Sequence, residues 1–489
     1  MNLSRRDFVI GAASWGALGG CRMFRADSNF RAGDAPRLRF GVVSDIHIHG
    51  GDTQHFIKAL EYFRDHGADA VMVGGDMSDA GLVCDLQAVA DAWNRVFPGN
   101  RAPDGRTVEK LFVTGNHDWE GQEYGNGTHK RFPDPDEFAR NVLRTDWAGN
   151  WERVFGEPYA PVWMKEVKGF KFVGAHWIGG DGVSTARSCM GREERFNDFI
   201  GQFYAEHADE FDPDLPFFHV QHPHPKDTCY GPWAWGHDNG CATAALSAFP
   251  NAVAFSGHSH YSLTDERSVW QGSFTSIGAG SLRYTGHPYG SCRPHGYENT
   301  SLDDANKVMK TLKDSDGKQG MLVSVYDDAI VISRREFVTG LSLGNDWVIP
   351  LPVKAQRPFA FKAQEARAVA PEFPAAAVVR IAKVRAKTRR FGKVEPVEKD
   401  AWEIRFPAAV PQEDLRVHEY ELTFVGVRGE KAVKRLLAPG YHQPVSNEAV
   451  SAEVVCTVPA DGVPAAPFRV EVRPLSCWLK PGKAITVSL

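Results

Sequence analysis

The stretch Leu38-Arg39-Phe40-Gly41-Val42-Val43-Ser44-Asp45-Ile46-His47 decides the fold. Its first six residues read as a buried strand, and the strand runs out into Asp-x-His. The pattern then repeats. His55–His66 carries Phe56, Ile57, Leu60 and Phe63 on one helical face and closes at Gly67. Ala70–Val73 is a second apolar run, leading into Gly75-Asp76. Leu82–Phe97 has helical spacing, and Leu111–Val113 is a third strand, followed by Gly115-Asn116-His117-Asp118. The order strand–helix–strand–helix–strand predicts right-handed crossovers and a largely parallel sheet. Phe170–Ala175, Pro216–Val220 and Ala252–Phe255 read as further strands, and Met321–Tyr326 with Ala329–Arg334 as a hairpin around Asp327-Asp328. Two facing sheets sandwiched by helices accommodate this set.

The informative polar residues sit at strand exits. His222 follows Phe217–Gln221, and Gly257-His258-Ser259-His260 follows Val253–Phe255. Ligand sites of open α/β sheets lie beyond the carboxyl ends of strands, so these five clusters can meet in space. Their types suit two adjacent divalent cations. Asp45 and His47 share a face of an extended segment, since i and i+2 do. One cation could take Asp45, His47 and His260, and the other Asn116, His222 and His258. Asp76, with two carboxylate oxygens, can bridge both. Glycines at 75, 115 and 257 let the backbone turn sharply and approach the cations. His117 and Asp118 are left over for catalysis.

In order, these residues spell D-x-H…G-D…G-N-H-D…H…G-H-x-H across Asp45–His260, which resembles the calcineurin-like metallophosphoesterase superfamily. The resemblance covers somewhat under half of the chain. It implies an α/β protein, a four-layer α/β/β/α sandwich, with a dinuclear site that hydrolyses phosphoesters. By position, the family's ligands fall on Asp45, His47, Asp76, Asn116, His222, His258 and His260. Purple acid phosphatases of this superfamily have a Tyr three residues after the bridging Asp; here that residue is Asp79. The expectation is therefore Mn²⁺, Zn²⁺ or Fe²⁺, with Mn²⁺ favoured, rather than an Fe(III)–tyrosinate centre. Nitrogen and oxygen ligands do not choose among these three. Two dications against two carboxylates and a bridging hydroxide leave one positive charge, which attracts an anionic phosphate. Cation binding lowers the water pKa towards 7, and cations about 3.5–4 Å apart can clamp the phosphoryl oxygens. His117 is assigned to protonate or stabilise the leaving oxygen, with Asp118 orienting it.

The segment His219-Val220-Gln221-His222-Pro223-His224 offers three histidines. His222 is the favoured ligand, His224 belongs at the pocket edge and His219 in the core. Asp79 and His49 read as supporting or surface residues rather than ligands. The inserts point to substrate. They hold Trp119, Tyr124, His129, Lys130 and Arg131; Arg187 and Arg192; Tyr230, Trp233 and Trp235; and Arg283, Tyr284, Arg293 and His295. Such residues can stack a base or sugar and pair with phosphate, or simply fill the loops. Phosphomonoesters and phosphodiesters stand equal as substrates. The rival reading is a cell-surface binding or scaffold protein with a vestigial metal site.

The remainder of the chain bounds these readings. It has 489 residues, 43% hydrophobic and 24% charged, with 47 glycines and 30 prolines, which suits a globular protein of two or three domains. A net charge of −5 provides no basic field for nucleic acid, and the resemblance implies a phosphoester small molecule as partner. Ser4-Arg5-Arg6-Asp7-Phe8 before an apolar run resembles a twin-arginine export signal over residues 1–25, and Ala17–Cys21 resembles a lipoprotein cleavage box with Cys21 as lipidated residue. A periplasmic or cell-surface location follows, with membrane attachment through Cys21. After residue 25 no apolar run reaches the ~18–20 residues of a membrane span. Cys229–Cys241 and Cys456–Cys477 are candidate disulfides. A catalytic domain over 37–350 is followed, past a run with Pro350, Pro352, Pro358, Pro371 and Pro374, by short β-like segments to 489. These read as an all-β sandwich of immunoglobulin or fibronectin-III type.

Overall fold

A computed structural model describes residues 35–124, 132–178, 198–231, 234, 236–285, 317–388, 397–410, 417–438 and 452–489. The stretch read as an export signal, with Arg5, Arg6 and Cys21, lies outside these residues. So do His129, Lys130, Arg131, Arg187, Cys189, Arg192, Trp233, Trp235, Cys292, Arg293 and His295. Among the described residues no helix is long and apolar enough to cross a membrane.

Strands β1 (Leu38–Val43), β2 (Ala70–Gly74) and β3 (Glu109–Val113) run parallel, with Val42 opposite Met72 and Met72 opposite Leu111. A second sheet holds β4 (Val162–Val167), β5 (Phe170–Ala175), β6 (Phe217–Gln221), β7 (Ala252–Ser256), β8 (Val269–Gln271) and β9 (Thr275–Gly278). The chain then returns to the first sheet through β10 (Gln319–Val325), β11 (Ala329–Glu336), β12 (Leu341–Ser342) and β13 (Trp347–Pro350). The expected largely parallel sheet is thus two mixed ones. β1 pairs β10 antiparallel, and β4 and β8 close the second sheet antiparallel. A parallel neighbour needs a long crossover, whereas a short turn such as Asp327-Asp328 returns the chain antiparallel.

Alternation along the strands builds four layers. Leu38, Phe40 and Val42 point between the sheets, where Phe40 meets Phe172, Phe218 and Phe255 edge-on at 4.8–5.8 Å. Val43, Val71 and Val73 point the other way, onto the helices Gln54–Asp65 and Val83–Val96 through Phe56, Leu60, Phe63, Leu86 and Trp93. The outer face of the second sheet packs Val173, Ala175 and Ala254 on Ile200, Tyr204, Ala242 and Leu246. The order is helices, sheet, sheet, helices, as the motif order implies. Covering both faces explains why β2, β6 and β7 are buried along their whole length.

The tail is all β. β14 (Arg380–Thr388), β15 (Val397–Pro407) and β18 (Glu453–Pro459) form one antiparallel sheet. β16 (Val417–Gly426), β17 (Lys431–Leu437), β19 (Phe468–Ser476) and β20 (Ile485–Ser488) form another. Ile404, Phe406, Leu422, Phe424, Val458 and Val470 fill one shared core. The tail meets the rest of the chain where buried Arg267, paired with Asp265 at 2.6 Å, donates to His418 at 3.3 Å.

Neither expected disulfide forms. Cys229 packs with Tyr230 and Tyr261, whereas Cys241 packs against the helices of the second sheet. Cys456 faces the tail core, and Cys477 sits with Ala368 and Trp478. Each pair is divided between two clusters.

Candidate metal centre

The exits of β1 and β2 continue their pairing past the sheet. The Asp45 amide donates to the Gly75 carbonyl at 3.0 Å, and the His47 amide to the Asp76 carbonyl at 2.8 Å. Across the sandwich, the Gly257 amide donates to the His222 carbonyl at 2.8 Å, which joins the exits of β6 and β7. The His258 amide then donates to both Asp45 carboxylate oxygens, at 3.2 and 3.0 Å, and ties the two sheets together. Gly257 is required here, because a Cβ would collide with Ser44 Oγ and Asp45 Oδ2.

These exits gather the predicted residues into two groups. Asp45, His47, Asp76 and His260 present ligand atoms within 4.8 Å of one another, and so do Asp76, His222 and His258. Asp76 belongs to both. In the first group His47 Nε2 lies 3.1 Å from His260 Nε2 and 3.5 Å from Asp76 Oδ2, and His260 Nε2 lies 3.0 Å from Asp45 Oδ1. In the second, His222 Nε2 lies 3.1 Å from Asp76 Oδ2, 3.1 Å from His258 Nδ1 and 3.0 Å from Asn116 Oδ1. All seven side chains are buried. Five of the seven, Asp45, His47, Asp76, His258 and His260, have positive φ, a conformation that costs non-glycine residues about 1–3 kcal/mol.

The electrostatics fit a cation. His222 Nδ1 donates to the Gly74 carbonyl at 2.7 Å, so in the neutral ring Nε2 carries a lone pair. That lone pair faces a carboxylate oxygen, an amide oxygen and another imidazole nitrogen. Only a proton or a metal ion between them makes the arrangement favourable. Burial works against charging His222, but Asp76 outweighs it and lifts the ring to about 9. Burial likewise opposes ionisation of Asp76, yet His222, His117 and His47 hold its carboxyl well below the usual range. Burial drives His258 down to about 3, which keeps its ring neutral and able to ligate. Divalent cations would take the proton's place between these groups, and the donor set of imidazole, carboxylate and amide oxygen suits Mn²⁺, Zn²⁺ and Fe²⁺.

Residues 38–262 match the sequence model of calcineurin-like phosphoesterases. This stretch is similar to the calcineurin-like phosphoesterases. Solved structures similar to the chain include GAP50, the anchor in the inner membrane complex of Plasmodium, at 11% identity and a TM-score of 0.37, covering 64% of this chain and 88% of that one. A predicted phosphoesterase from Streptococcus pneumoniae is 12% identical with a TM-score of 0.25, covering 64% and 97%. Vacuolar protein sorting 29 from Cryptosporidium parvum is 11% identical with a TM-score of 0.28, covering 65% and 99%. No curated protein matches the chain.

Around the two groups, the structure corrects two expectations. Asp118 does not orient His117. Its carboxylate accepts the amides of Ser78 and Gly115, each at 2.8 Å, and so staples the β2 and β3 exits together. Burial, reinforced by Asp76, pushes it up to about 7. His117 instead sets Nδ1 2.9 Å from the Asp79 carbonyl, and its amide donates to Asp76 Oδ1 at 2.8 Å. Asp79 also holds His47, Oδ1 to Nδ1 at 3.0 Å, and faces His49 at 3.6 Å, so it supports a ligand as read from sequence. His224 is not at a pocket edge: it is buried between the hydroxyls of Ser256 and Ser259, 2.7 Å from each. His219 is a core residue bonded to Tyr204 and Gln221. Tyr230, one of the insert residues, is buried against Tyr261 and fills its loop. Tyr284 is half-exposed, its ring 4.2 Å from His260 and its carbonyl 3.1 Å from His260 Nδ1. Sequence reasoning passed over Trp177, whose ring lies against His222 and His258. Its only signal was its place just past the end of β5.

Proposed function

We propose that the protein is a metal-dependent phosphoric ester hydrolase that takes two divalent cations, with Mn²⁺ favoured. The observation that carries this reading is Asp76, shared by two buried His/Asp groups at the strand exits. Asp45, His47 and His260 would hold one cation, Asn116, His222 and His258 the other, and Asp76 both. Two such cations, when bound, draw charge from a phosphoryl group and acidify water. The chain's own residues do the rest. Asp79 fixes the His47 ring through Nδ1, and the Gly74 carbonyl fixes His222, so each presents Nε2 inward. His117, held at Nδ1 by the Asp79 carbonyl and about a quarter exposed, gives a proton from Nε2 to the leaving oxygen. Phosphomonoesters and phosphodiesters both suit this arrangement.

The twin-arginine-like start extends the reading to location: the enzyme works in the periplasm or at the cell surface, with Cys21 as lipid anchor. We read the tail as an immunoglobulin- or fibronectin-III-like unit that supports the catalytic domain. The test is hydrolysis of bis-p-nitrophenyl phosphate and p-nitrophenyl phosphate by purified protein, with and without Mn²⁺. Metal-dependent release of p-nitrophenol from either ester is the expected result. Inertness towards both, and towards a broad phosphoester panel, would favour the scaffold reading instead.

A further inference from the structure

Trp177 is anchored beside the second group of ligands. Its amide donates to the Thr114 carbonyl at 3.1 Å, and its carbonyl accepts the Thr114 hydroxyl at 3.0 Å, two residues ahead of Asn116. Its ring centroid lies 5.8 Å from that of His258 and 6.1 Å from that of His222. The side chain is only 3% exposed. Yet the indole N–H has no hydrogen-bond partner among the described residues.

Leaving a buried donor unpaired is costly, and native structures pair nearly all such groups. Phe would fill the same space without a donor to satisfy. An indole N–H donates and never accepts, so its missing partner is an acceptor. The two imidazoles beside the ring already have partners: His222 bonds to the Gly74 carbonyl and Asn116, and His258 to His222. No described residue supplies that acceptor, and the ring lies beside a site that, on the phosphoesterase reading, draws in anionic oxygen.

We propose that the Trp177 indole N–H binds an oxygen of a tetrahedral oxyanion, the phosphoryl group of the substrate, on the His222 and His258 side of the centre. The inference rests on the phosphoesterase reading and adds to it a neutral, metal-independent donor for the phosphoryl group. No bond is made or broken by Trp177; it positions and stabilises the bound anion.

The test uses the full-length protein loaded with Zn²⁺, inorganic phosphate as probe, and Trp177→Phe, which keeps a ring and removes the N–H. Calorimetry should show phosphate binding about tenfold weaker in the variant, at unchanged zinc content. In wild type labelled with 15N-tryptophan, one indole cross-peak, missing from the variant's spectrum, should move downfield as phosphate is added. Equal phosphate affinity in the two proteins, or an indole peak that stays fixed, overturns the proposal alone. Zinc loss in the variant also overturns it, because the ring would then serve to hold the ligands. Wild type that carries zinc but binds no phosphate overturns the phosphoesterase reading as well. Should the variant fail to fold, the wild-type spectrum decides.

Discussion

The α/β sandwich and the tail are both built on β-sheets, but they use their strands for different ends. In the tail, β16 and β18 alternate buried and less buried residues, so one face meets the shared core and the other meets water. In the α/β sandwich the central strands are buried on both faces, and the polar residues are concentrated at the strand exits. Backbone strain follows the same division. Asp45, His47, Asp76, His258 and His260 take positive φ at those exits, whereas in the tail Leu479 is the one such non-glycine among the described residues. The difference teaches that the sandwich core is an anchor rigid enough to hold strained, mutually repelling groups in one place. The tail carries no such load.

Substitutions can break or sharpen this contrast. Asp76→Asn should have the largest effect: turnover on bis-p-nitrophenyl phosphate should fall by more than about 100-fold, beyond the usual range for groups that only support a ligand. One cation per chain should be lost with it, as read by metal analysis; retention of both at full rate would remove the bridge. His117→Ala should slow cleavage of an alkyl phosphoester by about 10²–10⁴-fold. Its effect on p-nitrophenyl esters should be small, because that leaving group departs without a proton, and an equal loss on both would deny the acid role. Asp79→Ala should weaken cation affinity by about 10–100-fold in calorimetry, since His47 loses the partner at Nδ1. Unaltered affinity would mean that the His47 ring needs no such support. The smallest effect belongs to the tail. The Ala409 amide donates to the Tyr420 hydroxyl at 2.9 Å, so Tyr420→Phe should lower stability by about 1 kcal/mol in denaturant unfolding. Its metal stoichiometry should match wild type; a change there would tie the tail to the centre.

Much of the fold was legible because periodicity and strand exits are local signals. Phe170–Ala175 and the ends of β1 stand where the apolar runs put them. Edge strands were harder. β4 is mostly half-exposed and β17 reads Lys-Ala-Val-Lys-Arg-Leu-Leu, so neither shows the buried run that marks a central strand. The clustering of Asp45, His47, Asp76, Asn116, His222, His258 and His260 was legible from their shared position past the strands. Asp118 was misread because adjacency suggested a pair with His117. In the first turn of the helix Asn116–Glu120 neighbouring side chains diverge, and Asp118 turns back to the Gly115 amide instead. His224 was misread for a comparable reason: two residues past a ligand, beyond a proline, nothing local tells inward from outward.

The central claim is that two buried ligand groups act as one site through Asp76. The direct measurement strips the full-length protein with chelator, titrates Mn²⁺ back in, and follows bound metal and diester hydrolysis together. The account predicts two equivalents per chain, with hydrolysis absent at the start and complete when both are bound. Hydrolysis that survives stripping, or a protein that takes up no Mn²⁺ at all, would contradict it.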